Sequence, residues 1–172
     1  HQIVTEDGAT IDFVGEVHND QPEILQSREL EVVADADLIP LLTLAVEQIN
    51  VTFCGGLTST AIFAVAEHCP NLVDLNLWGC SYFSDASIGA VAANCPNLAR
   101  LSVGYSERLT DAAITALAEN CRKLETLTLY CCKNLTDASV KAVAERCPSL
   151  TELDIGECAK ITDAAITLVA EA

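Results

Sequence analysis

The chain repeats itself every 26 residues. Cys69, Cys95, Cys121 and Cys147 stand 26 apart, and a second ladder, Cys54, Cys80, Ser106, Cys132, Cys158, keeps the same step. Leucines follow: Leu72, Leu98, Leu124, Leu150; then Leu75, Leu101, Leu127, Leu153; then Leu77, Val103, Leu129, Ile155. A fixed period of this length describes a solenoid, whose units bury their apolar faces only by stacking on one another. Such a chain presents a long open surface, which favours binding over catalysis.

One unit, residues 95–120, gives the local plan. Leu98, Leu101 and Val103 predict a short strand with Leu101 and Val103 pointing inward. Residues 104–108 read as a turn, and Leu109 as a core plug. Thr110-Asp111 opens a helix, with side-chain oxygens expected to accept its first free amides. Ile114, Leu117 and Ala118 then face the strand at helical spacing. Asn120 is expected to end the helix in the left-handed conformation, and Pro70, Pro96 and Pro148 block continuation in three units. Strands stack about 4.8 Å apart and helices about 8–10 Å apart, so the stack must curve. The expected fold is an α/β horseshoe with parallel strands on the concave side and helices on the convex side.

The repeat fades upstream. Val46, Ile49, Val51, Cys54 and Leu57 mark a degenerate coil, followed by a helix near 60–68. Residues 35–44 read as a helix with Pro40 in its first turn, and Leu30 and Val33 as a vestigial strand. Two segments, 3–5 and 10–14, flank Glu6-Asp7-Gly8 and predict a β-hairpin. The chain therefore divides into an acidic N-terminal cap or arm, 1–34, and a solenoid of about five coils, 35–172. It begins at His1 and contains no Met, which points to a processed form or an excised piece.

Charge and cysteine bound the partners. The net charge is −16, and residues 1–40 hold ten acids against Arg28 alone. A phosphate backbone or an anionic membrane would be repelled. A basic protein would be attracted, although acidity also serves solubility. No apolar run is long enough to span a bilayer. The nine cysteines stack as rungs, one of them replaced by Ser106, so buried free thiols in a reducing compartment, cytoplasmic or nuclear, are expected. No CxxC pair exists and the adjacent Cys131-Cys132 chelates poorly, so neither metal nor cofactor is expected. At the far end Leu150, Leu153, Ile155, Ile161 and Ile166 are expected to keep an open side. More chain would cover it, or another molecule, including self-association through that end.

The unit C-P-x-L-x-x-L-x-L-x-x-C-x-x-L/I-T-D-x-x-I-x-x-L/V-A resembles the cysteine-containing class of leucine-rich repeat, as in the repeat region of F-box/leucine-rich-repeat proteins. The resemblance covers about residues 43–172. It implies a recognition horseshoe and, by extension, substrate recognition in a larger ubiquitin-ligase-type or scaffolding protein. In that family an F-box module precedes the repeats. Residues 1–40, acidic and hairpin-like, do not resemble one.

Alternation puts three rows on the concave face. Asp74, Arg100 and Glu152 belong to the first; Asn76, Thr128 and Asp154 to the second; Trp78, Gly104 and Tyr130 to the third. Trp78 and Tyr130, two strand steps or about 10 Å apart, are expected to flank Gly104 as an apolar slot with an Asp74–Arg100 rim. Exposed Trp and Tyr are typical anchors; the alternative is that Trp78 merely packs sideways. No nucleophile, base and orienting acid converge: His1, His18 and His68 do not repeat. The expectation is a non-enzymatic module binding a partner protein on the concave face. A small-ligand sensor on that face and a structural assembly segment are the alternatives.

Overall fold

The structure is a computed structural model that describes residues 2–4, 9–13 and 33–170. Its seven strands form one sheet in chain order: β1 (Gln2–Val4), β2 (Thr10–Phe13), β3 (Gln48–Asn50), β4 (Asp74–Asn76), β5 (Arg100–Ser102), β6 (Thr126–Thr128) and β7 (Glu152–Asp154). β1 pairs antiparallel with β2, and every later pairing is parallel. From β3 onward the register equals the sequence period: Ile49 lies opposite Leu75, Leu75 opposite Leu101, Leu101 opposite Leu127, Leu127 opposite Leu153. One carbonyl before each strand accepts two amides from the next coil: Glu47 from Val73 and Asp74, Val73 from Ala99 and Arg100, Ala99 from Glu125 and Thr126.

Helices α2 (Ser59–His68), α3 (Asp85–Asn94), α4 (Asp111–Asn120), α5 (Asp137–Arg146) and α6 (Asp163–Ala170) return each coil, and each packs on the next. Between sheet and helices lies one core, in which Leu75, Leu98, Val103, Leu109, Leu127 and Leu129 are sealed from water. β2 contributes Ile11 and Phe13 to it. The fold is the α/β solenoid that the period requires. Of the acidic cap or arm expected over 1–34, residues 1, 5–8 and 14–32 lie outside the described residues, and with them Glu6-Asp7-Gly8 and Leu30.

Both cysteine ladders are free, buried thiols, and only Cys131, outside the ladders, is half-buried. They do more than fill space. Cys80, Cys132 and Cys158 each donate Sγ–H to a strand carbonyl of the preceding coil, at Val51, Val103 and Leu129, over 3.0 to 3.3 Å. Ser106 Oγ donates instead to the Cys80 carbonyl, 26 residues back, at 3.5 Å, so the hydroxyl on that rung also finds an acceptor. Burial pushes the Cys80, Cys95, Cys121 and Cys132 thiols up to about 12, so they stay protonated and unreactive at neutral pH.

Three local expectations are corrected. The helix expected over 35–44 is a single turn, α1 (Asp35–Leu38), running into a 3₁₀ turn at Ile39–Leu41 in which Pro40 occupies an early position. Pro lacks the amide that a longer α-helix would need there. Asn120 stays helical, its Nδ2 donating to the Ala116 carbonyl. The left-handed residues fall instead one turn after each strand, at Phe53, Gly79, Tyr105, Cys131 and Glu157, again 26 apart.

The third concerns Thr-Asp. The threonine caps its own helix: Thr110 Oγ1 accepts the Ala112 amide and Thr136 Oγ1 the Ala138 amide. The aspartate reaches the neighbouring coil. Asp85 accepts the amide and hydroxyl of Thr110, Asp111 those of Thr136, and Asp137 those of Thr162. Asp111 also takes a hydrogen bond from the Ser139 hydroxyl. Helix starts are thus strung together along the array.

Partial burial of Asp111 disfavours its charge, but donors from Ser139 and Thr136 outweigh this and hold its carboxyl below the usual value. Such a group adds stability that is full above the unfolded carboxyl pKa of about 4 and fades as pH falls through the lower folded value. Asp111→Ala should cost about 1–3 kcal/mol at pH 7. In urea melts its deficit against the parent protein should shrink below about pH 4; a pH-independent deficit would assign the loss to packing instead.

Candidate functional site

The strand ends position the site. Residues 74, 76 and 78 alternate with buried Leu75 and Leu77 and so share the concave face. Asn76 Oδ1 accepts the Trp78 amide at 3.0 Å, as Asn50 Oδ1 does for Thr52 and Asp154 Oδ1 for Gly156. These side chains fix the turn that follows each strand. Asn76, a candidate contact residue, therefore also aims the Trp78 backbone.

The slot expected between Trp78 and Tyr130 is closed. The Trp78 ring lies flat over Gly104: a Cβ there would meet Trp78 Cε3 at 2.6 Å. The ring then stacks on Tyr130, centroids 5.6 Å apart and planes 22° apart. Tyr130 covers Gly156 in the same way, and Phe53 covers Gly79. Each aromatic leans on the glycine 26 residues ahead, because only hydrogen leaves room for a ring at that rung. Trp78 is consequently half-buried, not fully in water.

Tyr105 completes a triad. Its ring stands edge-on to Trp78 at 5.4 Å and tilted to Tyr130 at 5.5 Å. Its backbone is left-handed, φ 64°, a conformation that costs a non-glycine residue about 1–2 kcal/mol. Tyr105 remains 42% exposed, and Phe53 and Tyr82 are likewise open to solvent. Arg108 sits 5.5 Å above the Tyr82 ring. The sequence places Tyr105 only within the turn read over 104–108. The signal that would have found it is its place in the left-handed series.

The remaining candidates lie around this triad. Arg100 Nε donates to Asp74 Oδ2 at 2.7 Å, forming the expected rim pair. That hydrogen bond, and then the Asp74 charge, raises the Arg100 pKa. Thr128 lies between Ser102 and Asp154 in the ladder. Glu152, Asp154 and Glu157 form no ion pair among the described residues. Desolvation raises the Tyr130 hydroxyl pKa, with Glu157 the next contributor and Asp154 another. Toward β2 a shallow cavity of about 230 Å³ is lined by Thr10, Asp12, Gln48, Asn50, Asp74 and Asn76. Asp12 Oδ1 is buried there without a hydrogen-bond partner among the described residues. No cluster of three His, Cys, Asp or Glu suited to a metal occurs among the described residues, and no described helix is long and apolar enough to cross a membrane.

A leucine rich repeat family model matches residues 146–170. This is a leucine-rich-repeat fold. A chain in the crystal structure of the Rad7 and Elc1 complex from yeast is similar at a TM-score of 0.68 and 26% identity, over 81% of this chain and 37% of that one. The protein thus spans little more than a third of that chain's length. Comparison with curated proteins gives no match.

Gly104→Ala should force Trp78 off its seat. As Trp78 is the sole tryptophan, its emission should shift to the red and the melting temperature should fall. An unchanged spectrum would mean that the ring does not rest on Gly104.

Proposed function

We propose that the protein is a protein-recognition module whose partner docks on the concave face and its carboxyl edge, anchored at Trp78, Tyr105 and Tyr130. The single observation that carries this is the ring triad: three aromatics in mutual contact, pre-packed by glycines, with Tyr105 left open to solvent. Rigid aromatic anchors lose little entropy on binding and dominate interface energetics. The complex in which the similar yeast chain is found agrees with a protein partner.

The cavity near Asp12, about 230 Å³, falls short of the roughly 300–1,000 Å³ that enclose a small ligand. That favours a protein over a small-molecule sensor. We further propose that residues 1–34 cover the first coil, since β2 already buries Ile11 and Phe13. A role as the recognition arm of a ubiquitin-ligase-type or scaffolding assembly, in a reducing compartment, belongs to this proposal.

The test is calorimetric titration of a purified partner against single variants. Trp78→Ala and Tyr105→Ala should each weaken Kd about thirtyfold, the scale of a hot-spot residue. Phe63→Ala, on the exposed side of α2, should leave it unchanged. Equal affinity for all three proteins would remove the aromatic edge from the interface.

A further inference from the structure

We infer that the aromatic edge takes an arginine-bearing, extended basic segment of its partner. The inference rests on the protein-recognition reading and specifies the partner's chemistry.

The first observation is charge left without a counterpart beside the rings. Asp74 is neutralised by Arg100, but Glu152 and Asp154 on β7 and Glu157 in the turn beyond have no cation among the described residues. Elsewhere acids find bases across the coils: Lys133 pairs with Glu107 and Arg146 with Glu119. The concave C-terminal corner is thus acidic, with no paired cation among the described residues.

The second observation is the character of the rings. Trp78 and Tyr130 stack with nearly parallel planes, and Tyr105 meets Trp78 edge-on and Tyr130 at a tilt, so the triad offers aromatic faces next to carboxylates. A guanidinium is planar and weakly hydrated. It stacks on aromatic faces while its fork donates to a carboxylate, which an ammonium cannot do as well. The same chemistry occurs within the chain, where Arg108 covers Tyr82. An acidic segment would be repelled, and a purely apolar one would leave the carboxylates desolvated and unpaired.

The third is the far pole. Asp12, with a buried oxygen that has no hydrogen-bond partner among the described residues, stands at the β2 end of the same face. Five strand steps of about 4.8 Å, about 24 Å, separate β2 from β7. About seven extended residues span that distance. A basic segment laid across the strands would meet carboxylates at both ends and rings near one.

The experiment uses nona-arginine, nona-lysine and nona-glutamate as probes, with Trp78 emission as readout. Asp154→Asn/Glu157→Gln removes the corner charge, and asparagine at 154 reproduces the turn bond that Asn50 and Asn76 make. Glu67→Gln/Glu145→Gln removes equal charge from the helices. Nona-arginine should bind saturably and at least threefold tighter than nona-lysine. The corner variant should lose tenfold or more in affinity, the helix variant less than twofold, and nona-glutamate should not bind. Equal losses in both variants, or no saturable arginine binding, would overturn the inference. Sensitivity of an identified partner to Trp78→Ala without any corner-charge effect would overturn it too, while leaving the recognition reading intact.

Discussion

Parallel strands three residues long cannot stand alone. Each interior strand from β3 to β6 has two neighbours to pair with and one helix to lie on, and the only way to satisfy both is to repeat the same coil in the same register. Leu75 meets Leu101 and Leu101 meets Leu127 because the sequence period and the hydrogen-bond register are the same number. A one-residue slip would turn every inward leucine to solvent. Register is then reinforced twice outside the sheet. Thiols bond back to carbonyls of the previous strand, and helix-opening aspartates hold the threonines of the next coil.

Most of this architecture is legible from spacing. The strands, the core plugs at Leu109 and Leu135, the helix starts and the burial of the thiols follow from period and alternation. What escapes is whatever depends on the neighbouring coil. The aspartate of Thr-Asp looks like a local cap, yet its acceptors serve a residue 25 positions on. Gly104 looks like a gap between two rings, yet one ring occupies it. Neither can be read from one unit, because both are contacts between units. The single-turn α1 was missed because Pro40 is compatible with either kind of helix start.

The aromatic edge proposed for binding follows from the same repetition. The turn after each strand carries a left-handed residue, and the position before it sits above the equivalent residue of the next coil. Glycine at 104 and 156 lets aromatics settle there, so a structural rule of the coil produces a patch of ordered rings. Carboxylates without a paired cation at the β7 corner, among the described residues, give that patch a polarity. The proposed recognition on this face would thus be an outgrowth of stacking, with Trp78 and Tyr105 serving both.

The account stands on neighbouring coils sealing one another's sulfur atoms. Timed labelling of the native protein with a thiol-specific reagent, read by intact mass, tests this directly. Of the nine cysteines, Cys131 alone is not buried. One adduct should form promptly, and the other eight should appear only as the array unfolds, together and at the rate set by denaturant. Several adducts at once on the folded protein, or a mass showing sulfurs already bridged, would contradict it.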